Sequence, residues 1–216
     1  MPVRVGLKYI EKWKESMENR ILIYEQEPII KDQIVFYGPS NFTRWRREDH
    51  GNTPLREAVL GHSGKQCCIN RGFGSSCPEQ QLYYYPRMIR PLEPRVLVYS
   101  PGSGNGKAFG YTPEEQWELA QRVMVYAQTD FPDIRIYICG ENLYRDKYPE
   151  DKVLYDSWLR EYAEKTPNCK YIDIAAYEPL HRDDIFVEDK KHFNNKGYEI
   201  YAELFREALK DELALY

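Results

Sequence analysis

Ile34-Val35-Phe36-Tyr37-Gly38-Pro39-Ser40-Asn41 is the stretch whose reading decides the fold. Four β-favouring apolar residues run without alternation, the pattern of a strand buried on both faces. Gly38-Pro39 then stops the run, and a polar stretch able to start a helix follows. Four more short runs rich in Val, Ile and Tyr are bounded by turn residues: Gln66 to Ile69, Arg95 to Tyr99, Ile134 to Ile138 and Tyr171 to Ile174. Helical patterns lie between them. Thr112-Pro113-Glu114-Glu115 is a capping box with Pro at the first helical position, and Trp117, Ala120, Met124 and Ala127 follow on one face. A second helix carries Leu154, Trp158 and Tyr162, and a third carries Tyr198, Tyr201, Phe205 and Leu209, with Asn195 as its expected cap. A further helix is expected over Leu7 to Met17. Strands alternating with helices predict an α/β fold with a parallel sheet covered on both faces. Ligands bind outside the carboxyl ends of such strands. The loops beginning near Gly38, Asn70, Ser100, Cys139 and Ala175 are therefore where chemistry is to be sought.

The 216 residues suit one domain, 1–216, long enough to bury a core. A net charge of −4 and the lack of any long run of like charges argue against nucleic acid or an anionic membrane as partner. No stretch approaches the ~18 apolar residues of a membrane span. The opening MPVRVGLKYIEKWKESMENR has neither an apolar core nor a cleavage-like site, so a cytoplasmic protein is expected. Cys67, Cys68, Cys77, Cys139 and Cys169 are odd in number and form no C-x-x-C. Buried free thiols are expected rather than disulfides or a zinc site.

The loops then divide by what they can do. Ser40 sits where strand turns towards helix, beside a helix N-terminus that favours developing negative charge; an ordinary N-cap looks the same. Asn70-Arg71-Gly72-Phe73-Gly74-Ser75-Ser76 has glycines that let backbone N–H groups approach a ligand, or simply turn the chain. Ser100-Pro101-Gly102-Ser103-Gly104-Asn105-Gly106-Lys107 invites a phosphate-loop reading that fails in detail. Pro101 stands where the first Walker glycine belongs, and Ala108 where Ser or Thr belongs. Lys107 also breaks the dinucleotide spacing. A glycine-flanked amide, Asn105, remains as a hydrogen-bond donor. Near the C-terminus, Asp189 and His192 lie three apart just before a helix. That spacing lets the carboxylate hold one imidazole nitrogen while the other faces a cleft, as a serine nucleophile requires; a surface Asp–His pair has the same spacing. Of the other histidines, His50 and His62 lie in polar sequence, and His181 precedes Arg182-Asp183-Asp184 without a second histidine at ligand spacing. No metal or cofactor is called for.

Taken in order, these blocks resemble those of the SGNH (GDSL-like) hydrolases: Ser after the first strand, a Gly-rich turn after the second, Asn after the third, D-x-x-H before the last helix. The branch whose second block reads N-R-G-F-G-G-S is most similar, matched here by Asn70 to Ser76. Asp189, His192, Asn194, Gly197 and Tyr198 match the ending D-x-x-H-x-N-x-x-G-Y. The resemblance implies a flavodoxin-like three-layer α/β/α sandwich with a five-stranded parallel sheet. It also implies hydrolysis of acyl or acetyl esters without a cofactor. Ser40 would be the nucleophile, His192 the base and Asp189 its orienting carboxylate. The oxyanion hole would comprise the backbone N–H groups of Ser40 and Ser75 and the Asn105 side chain, with Gly72 and Gly74 as alternative donors.

Three departures stand out. Gly-Pro-Ser replaces the usual Gly-Asp-Ser, Ser75 replaces a glycine, and Gly106 stands where an Asp often follows the block's Asn. A catalytically weakened binding module on the same fold is therefore the alternative reading. The expected partner is a small-molecule ester; acetylated carbohydrate, short-chain acyl ester and lysophospholipid stay open, as does homo-oligomerisation. The absence of a long apolar lid points away from a large lipid. Tyr83, Tyr84 and Tyr85 border either the cleft or the core. Arg44 and Arg71, near the site in sequence, read as substrate contacts or as solvated side chains.

Overall fold

The structure is a computed structural model and describes residues 7–48, 51–142 and 150–216. The elements run α1 (Leu7–Glu25), β1 (Ile34–Gly38), α2 (Ser40–Thr43), α3 (Leu55–Ala58), β2 (Cys68–Gly72), α4 (Pro78–Met88), β3 (Val96–Tyr99), α5 (Ser103–Ala108), α6 (Pro113–Asp130), β4 (Arg135–Cys139), α7 (Glu150–Lys165), β5 (Cys169–Ile172), α8 (Asn195–Ala208) and α9 (Lys210–Leu213). All strand pairs are parallel, in the order β2-β1-β3-β4-β5. This is the flavodoxin-like order, whose switch point lies between β1 and β3. Ser40 follows β1 and Asn105 follows β3, so the two blocks flank that switch point.

Strand side chains alternate between the two faces. Phe36, Val98 and Tyr137 pack with α8 and with Phe42 and Trp45. Val35, Tyr37, Leu97, Tyr99, Ile136 and Ile138 pack with α1, α4, α6 and α7. Both faces are thus buried, which is why β1 reads as an unbroken apolar run rather than an alternating one.

Differences from expectation are local. β2 begins at Cys68 rather than Gln66, because Gln66 bridges back to Leu60 instead. β5 begins at Cys169, not Tyr171. α1 extends through Glu25, beyond Met17. Thr112 caps α6 through the expected box, but Asn194, not Asn195, caps α8, its side chain accepting the Gly197 N–H at 3.1 Å. In α7 the face against the sheet is Tyr155, Leu159 and Ala163, while Leu154 is exposed. Tyr84 and Tyr85 are core and Tyr83 is half exposed, so the three tyrosines divide between core and surface. The cysteines are free; Cys169 alone is not fully buried. No helix among the described residues is long and apolar enough to cross a membrane.

Phe205 is the hub of the α8 side. Its ring lies 5.0 Å from Phe36, 6.0 Å from Phe42, 5.9 Å from Trp45 and 4.8 Å from Tyr201. Phe205→Ala should lower unfolding free energy by about 3–5 kcal/mol, read as a lower urea midpoint with an unchanged slope.

Candidate active site

Ser40 is the first residue of α2, immediately after Pro39. The Pro39 carbonyl accepts the N–H groups of Phe42 and Thr43, both at 3.1 Å, which closes the turn tightly. From α8, the Tyr198 hydroxyl donates to the Asn41 carbonyl at 2.9 Å and ties this elbow to the last helix. On the far side of the cleft, the loop from Ile185 to Asn194 is pinned at both ends. Phe186 bridges Phe193, and the Asn194 N–H donates to the Ile185 carbonyl at 2.8 Å. Within it, Asp189 Oδ1 accepts the N–H groups of Lys191 and His192, both at 2.9 Å.

These two loops bring together residues 152 apart in sequence: His192 Nε2 lies 2.8 Å from Ser40 Oγ. His192 Nδ1 lies 2.6 Å from Asp189 Oδ2. An ionised carboxylate only accepts, so the neutral imidazole carries its proton on Nδ1 and donates it to Asp189. Nε2 then accepts from the Ser40 hydroxyl. Burial acts to raise the Asp189 pKa but is outweighed by the His192 ring and the two backbone N–H donors, which hold it well below the usual carboxylate range. Asp189 therefore stays charged across the neutral range. Arg44 Nη1 stands 3.9 Å from Asp189 Oδ2, placing that arginine beside the relay.

Ser40, His192 and Asn105 line one cleft of about 190 Å³ together with Asn41, Glu141, Asn142 and Lys191. Asn105 Nδ2 donates to the Ser76 carbonyl at 2.9 Å, which joins the third loop to the second and leaves the amide a second N–H. Ser75 has φ +61°, a left-handed conformation that a glycine adopts more readily, and among the described residues its N–H meets no backbone carbonyl. Gly72 is set aside as an alternative donor, because its N–H is committed to Asn70 Oδ1 at 2.8 Å. Gly74 has open space around it. A larger hollow of about 610 Å³ lies along β2, lined by Trp45, Arg47, Leu55 and Arg71 among others. Neither Ser40 nor His192 lines it. Arg71 is buried there, 2.5 Å from Glu27 and over the Tyr24 ring, so it is neither solvated nor a substrate contact at Ser40. His62 is exposed, and His181 Nε2 lies 2.7 Å from the Ala175 carbonyl. His50 lies outside the described residues.

Several residues that hold the site were not singled out from sequence. Gln81, fully buried on α4, donates to the carbonyls of Ser100 and Pro101 at 3.1 and 3.2 Å and so sets the start of the third loop. Gly102 then turns the chain at φ +72°, with the Pro39 ring close against its Cα; a side chain there would meet Pro39 Cγ at 2.7 Å. At Gly106 a neighbouring side chain takes the room that a Cβ would need. A Cβ at Gly106 would fall 1.9 Å from Gln116 Oε1, so an amide from α6 occupies the space behind α5. The capping box had located α6, but only packing showed where Gln116 points.

No protein-family model matches the chain, and no curated protein is a significant match to it. Solved structures do match. A GDSL-like lipase from Bacteroides thetaiotaomicron superposes with a TM-score of 0.67 at 14% identity, covering 96% of this chain and 100% of that one. A psychrotrophic esterase from Pseudoalteromonas, in a form inhibited by monoethylphosphonate, gives 0.67 at 12% identity over 84% of this chain and 99% of that one. A family 3 carbohydrate esterase from Clostridium thermocellum gives 0.60 at 14% identity over 86% and 98%. The chain accordingly shares the fold of these GDSL-like lipases and esterases.

One buried carboxyl behind the cleft makes stability pH-dependent. Asp156 Oδ1 accepts the Glu141 N–H at 2.9 Å, and burial, reinforced by the Glu141 carboxylate, pushes the Asp156 pKa up to about 7. The folded state then keeps a proton that the unfolded chain has lost, so this group's contribution falls as pH rises from its ordinary value of 3.8 towards 7. Asp156→Asn keeps an acceptor for Glu141. Its stability relative to wild type should climb across that window and level off above it, measured by urea unfolding at stepped pH.

Proposed function

We propose that the chain is a serine esterase acting on short acyl or acetyl esters. The observation that carries the reading is the relay from Ser40 Oγ through His192 to Asp189, at 2.8 and 2.6 Å. His192 Nε2 takes the Ser40 proton as Oγ attacks the ester carbonyl, and Asp189 stabilises the imidazolium that forms. The Ser40 and Ser75 N–H groups and the Asn105 amide stabilise the oxyanion, with Gly74 as the alternative to Ser75. His192 then protonates the leaving alcohol. In the second half, water loses its proton to His192 and attacks the acyl-enzyme, and the acid departs as Ser40 regains its proton.

The cleft's size and lining support a small substrate with a polar alcohol. About 190 Å³ bounded by Asn41, Asn105, Asn142 and Lys191 suits an acetyl or short acyl group better than a long chain. The esterase and lipase neighbours of the same fold support ester chemistry in general.

A fluorophosphonate probe tests the nucleophile without a known substrate. A single adduct on Ser40, found by peptide mapping and lost in His192→Ala, is the expected result; a folded protein that takes no adduct would sink the proposal. With p-nitrophenyl acetate as substrate, Asn105→Ala should lower kcat by roughly 100- to 1,000-fold, while unfolding free energy falls by only about 1 kcal/mol for the lost bond to the Ser76 carbonyl.

A further inference from the structure

The proposed chemistry makes no use of a buried charge pair whose carboxylate borders the cleft. Glu141, two residues past β4, and Lys152, on α7, are each only 6% exposed, and Lys152 Nζ lies 2.8 Å from Glu141 Oε2. Taking both charges out of water offsets most of their attraction, so such a pair is a poor source of stability in itself. The other oxygen shows what the pair holds. Glu141 Oε1 accepts the N–H of Ser103 at 2.7 Å, across 38 residues of sequence. Ser103 opens α5, the six-residue helix that carries Asn105. The residue before it is Gly102, which has no side chain to cap the helix. The cap comes instead from a different loop of the fold.

Glu141 is itself held firmly. Its backbone N–H donates to Asp156 Oδ1 at 2.9 Å, and the Gly140 N–H donates to the Ile172 carbonyl at 2.9 Å. Lys152 leaves Oε2 no freedom to swing away. On α5 itself, Gly106 offers no side chain with which to anchor the loop. Gln81 fixes the turn before the helix and Ser76 holds the Asn105 amide, but the first turn of α5 is held by Glu141.

We propose that Glu141 is a positioning residue for the oxyanion donor: locked by Lys152 and Asp156, it holds α5 so that the free N–H of the Asn105 amide faces the cleft. The inference rests on the esterase reading and deepens it. Glu141 touches no reacting atom in this role; it acts through Asn105.

The test compares two double variants whose chief difference is an acceptor for the Ser103 N–H. Glu141→Met/Lys152→Met replaces the pair with apolar side chains of similar length, an exchange that buried ion pairs often tolerate. Glu141→Gln/Lys152→Met keeps a neutral acceptor. Each is assayed with p-nitrophenyl acetate, alone and combined with Asn105→Ala. The methionine pair should lose about 100-fold in kcat, the scale of a small misplacement of a catalytic group, with KM within about twofold. The glutamine pair should stay within about threefold of wild type, and the difference between the two should vanish in the Asn105→Ala background. Equal rates for the two pairs, losses that multiply undiminished with Asn105→Ala, or a raised KM at unchanged kcat would each overturn the inference. The last result would make Glu141 a substrate contact instead. If the methionine pair does not fold, amide hydrogen exchange decides: a Ser103 N–H protected in wild type and in the glutamine pair supports the role, and a freely exchanging one overturns it. Wild-type protein that neither hydrolyses the ester nor takes fluorophosphonate on Ser40 would remove the esterase reading and this inference with it. An active, labelled wild type with indistinguishable pairs removes the inference alone.

Discussion

The seating of α8 against β1 and α2 is the constraint on which the candidate site depends. His192 stands three residues before α8, and Ser40 two residues after the end of β1. Their 2.8 Å contact therefore requires the helix to keep its height and its roll on the sheet. Phe205 and Tyr201 supply this by meeting Phe36 and Trp45 ring against ring. Aromatic rings prefer edge-on and offset contacts, so this packing sets angle as well as distance. The Tyr198 hydroxyl adds a directional bond to the elbow itself. A core of aliphatic side chains would bury similar area with less control over rotation.

Electrostatics then follows from that placement. Asp189 is partly open to solvent, yet its own loop supplies two backbone donors and His192 a third, and these keep it charged. A charged Asp189 determines which imidazole nitrogen carries the proton, and so orients the Ser40 hydroxyl. The wall opposite is assembled from pieces far apart in the chain. Gln81, Gln116 and Glu141 each reach the third loop from a separate element. The Gln116 amide from α6 fills the space that a side chain at position 106 would need.

Much of this was legible in the sequence. The unbroken apolar run at Ile34 to Tyr37 is what burial on two faces requires, and the strand–helix alternation dictated parallel pairing. Asp189 stands three residues before His192 at the entry to a helix, a spacing that permits the contact, although a surface pair has the same spacing. Three of the differences show what local sequence leaves open. At β2 and β5 an apolar run does not say which residues find a partner, and pairing with β1 and β4 set the ends. In α7, Leu154 and Tyr155 are both apolar enough to face the core, and packing chose Tyr155. At Arg71, nearness along the chain suggested nearness to Ser40, but the strand's alternation turned that side chain towards Glu27.

The sequence by itself thus determined the class of fold and the order of its blocks, because these depend on residue type and short-range spacing, and it marked Ser40, Asp189 and His192 as candidates through the resemblance of the blocks taken in order. Only the tertiary structure decided that these three meet, that the Gly72 N–H is already engaged, and that Gln116 and Glu141 stand behind Asn105. The Gly72 bond to Asn70 is short in sequence but depends on the conformation β2 takes in the sheet; the other contacts span roughly 10 to 150 residues, where the free energy comes from shape and from pairing in a buried site, and neither is written in any local stretch of chain.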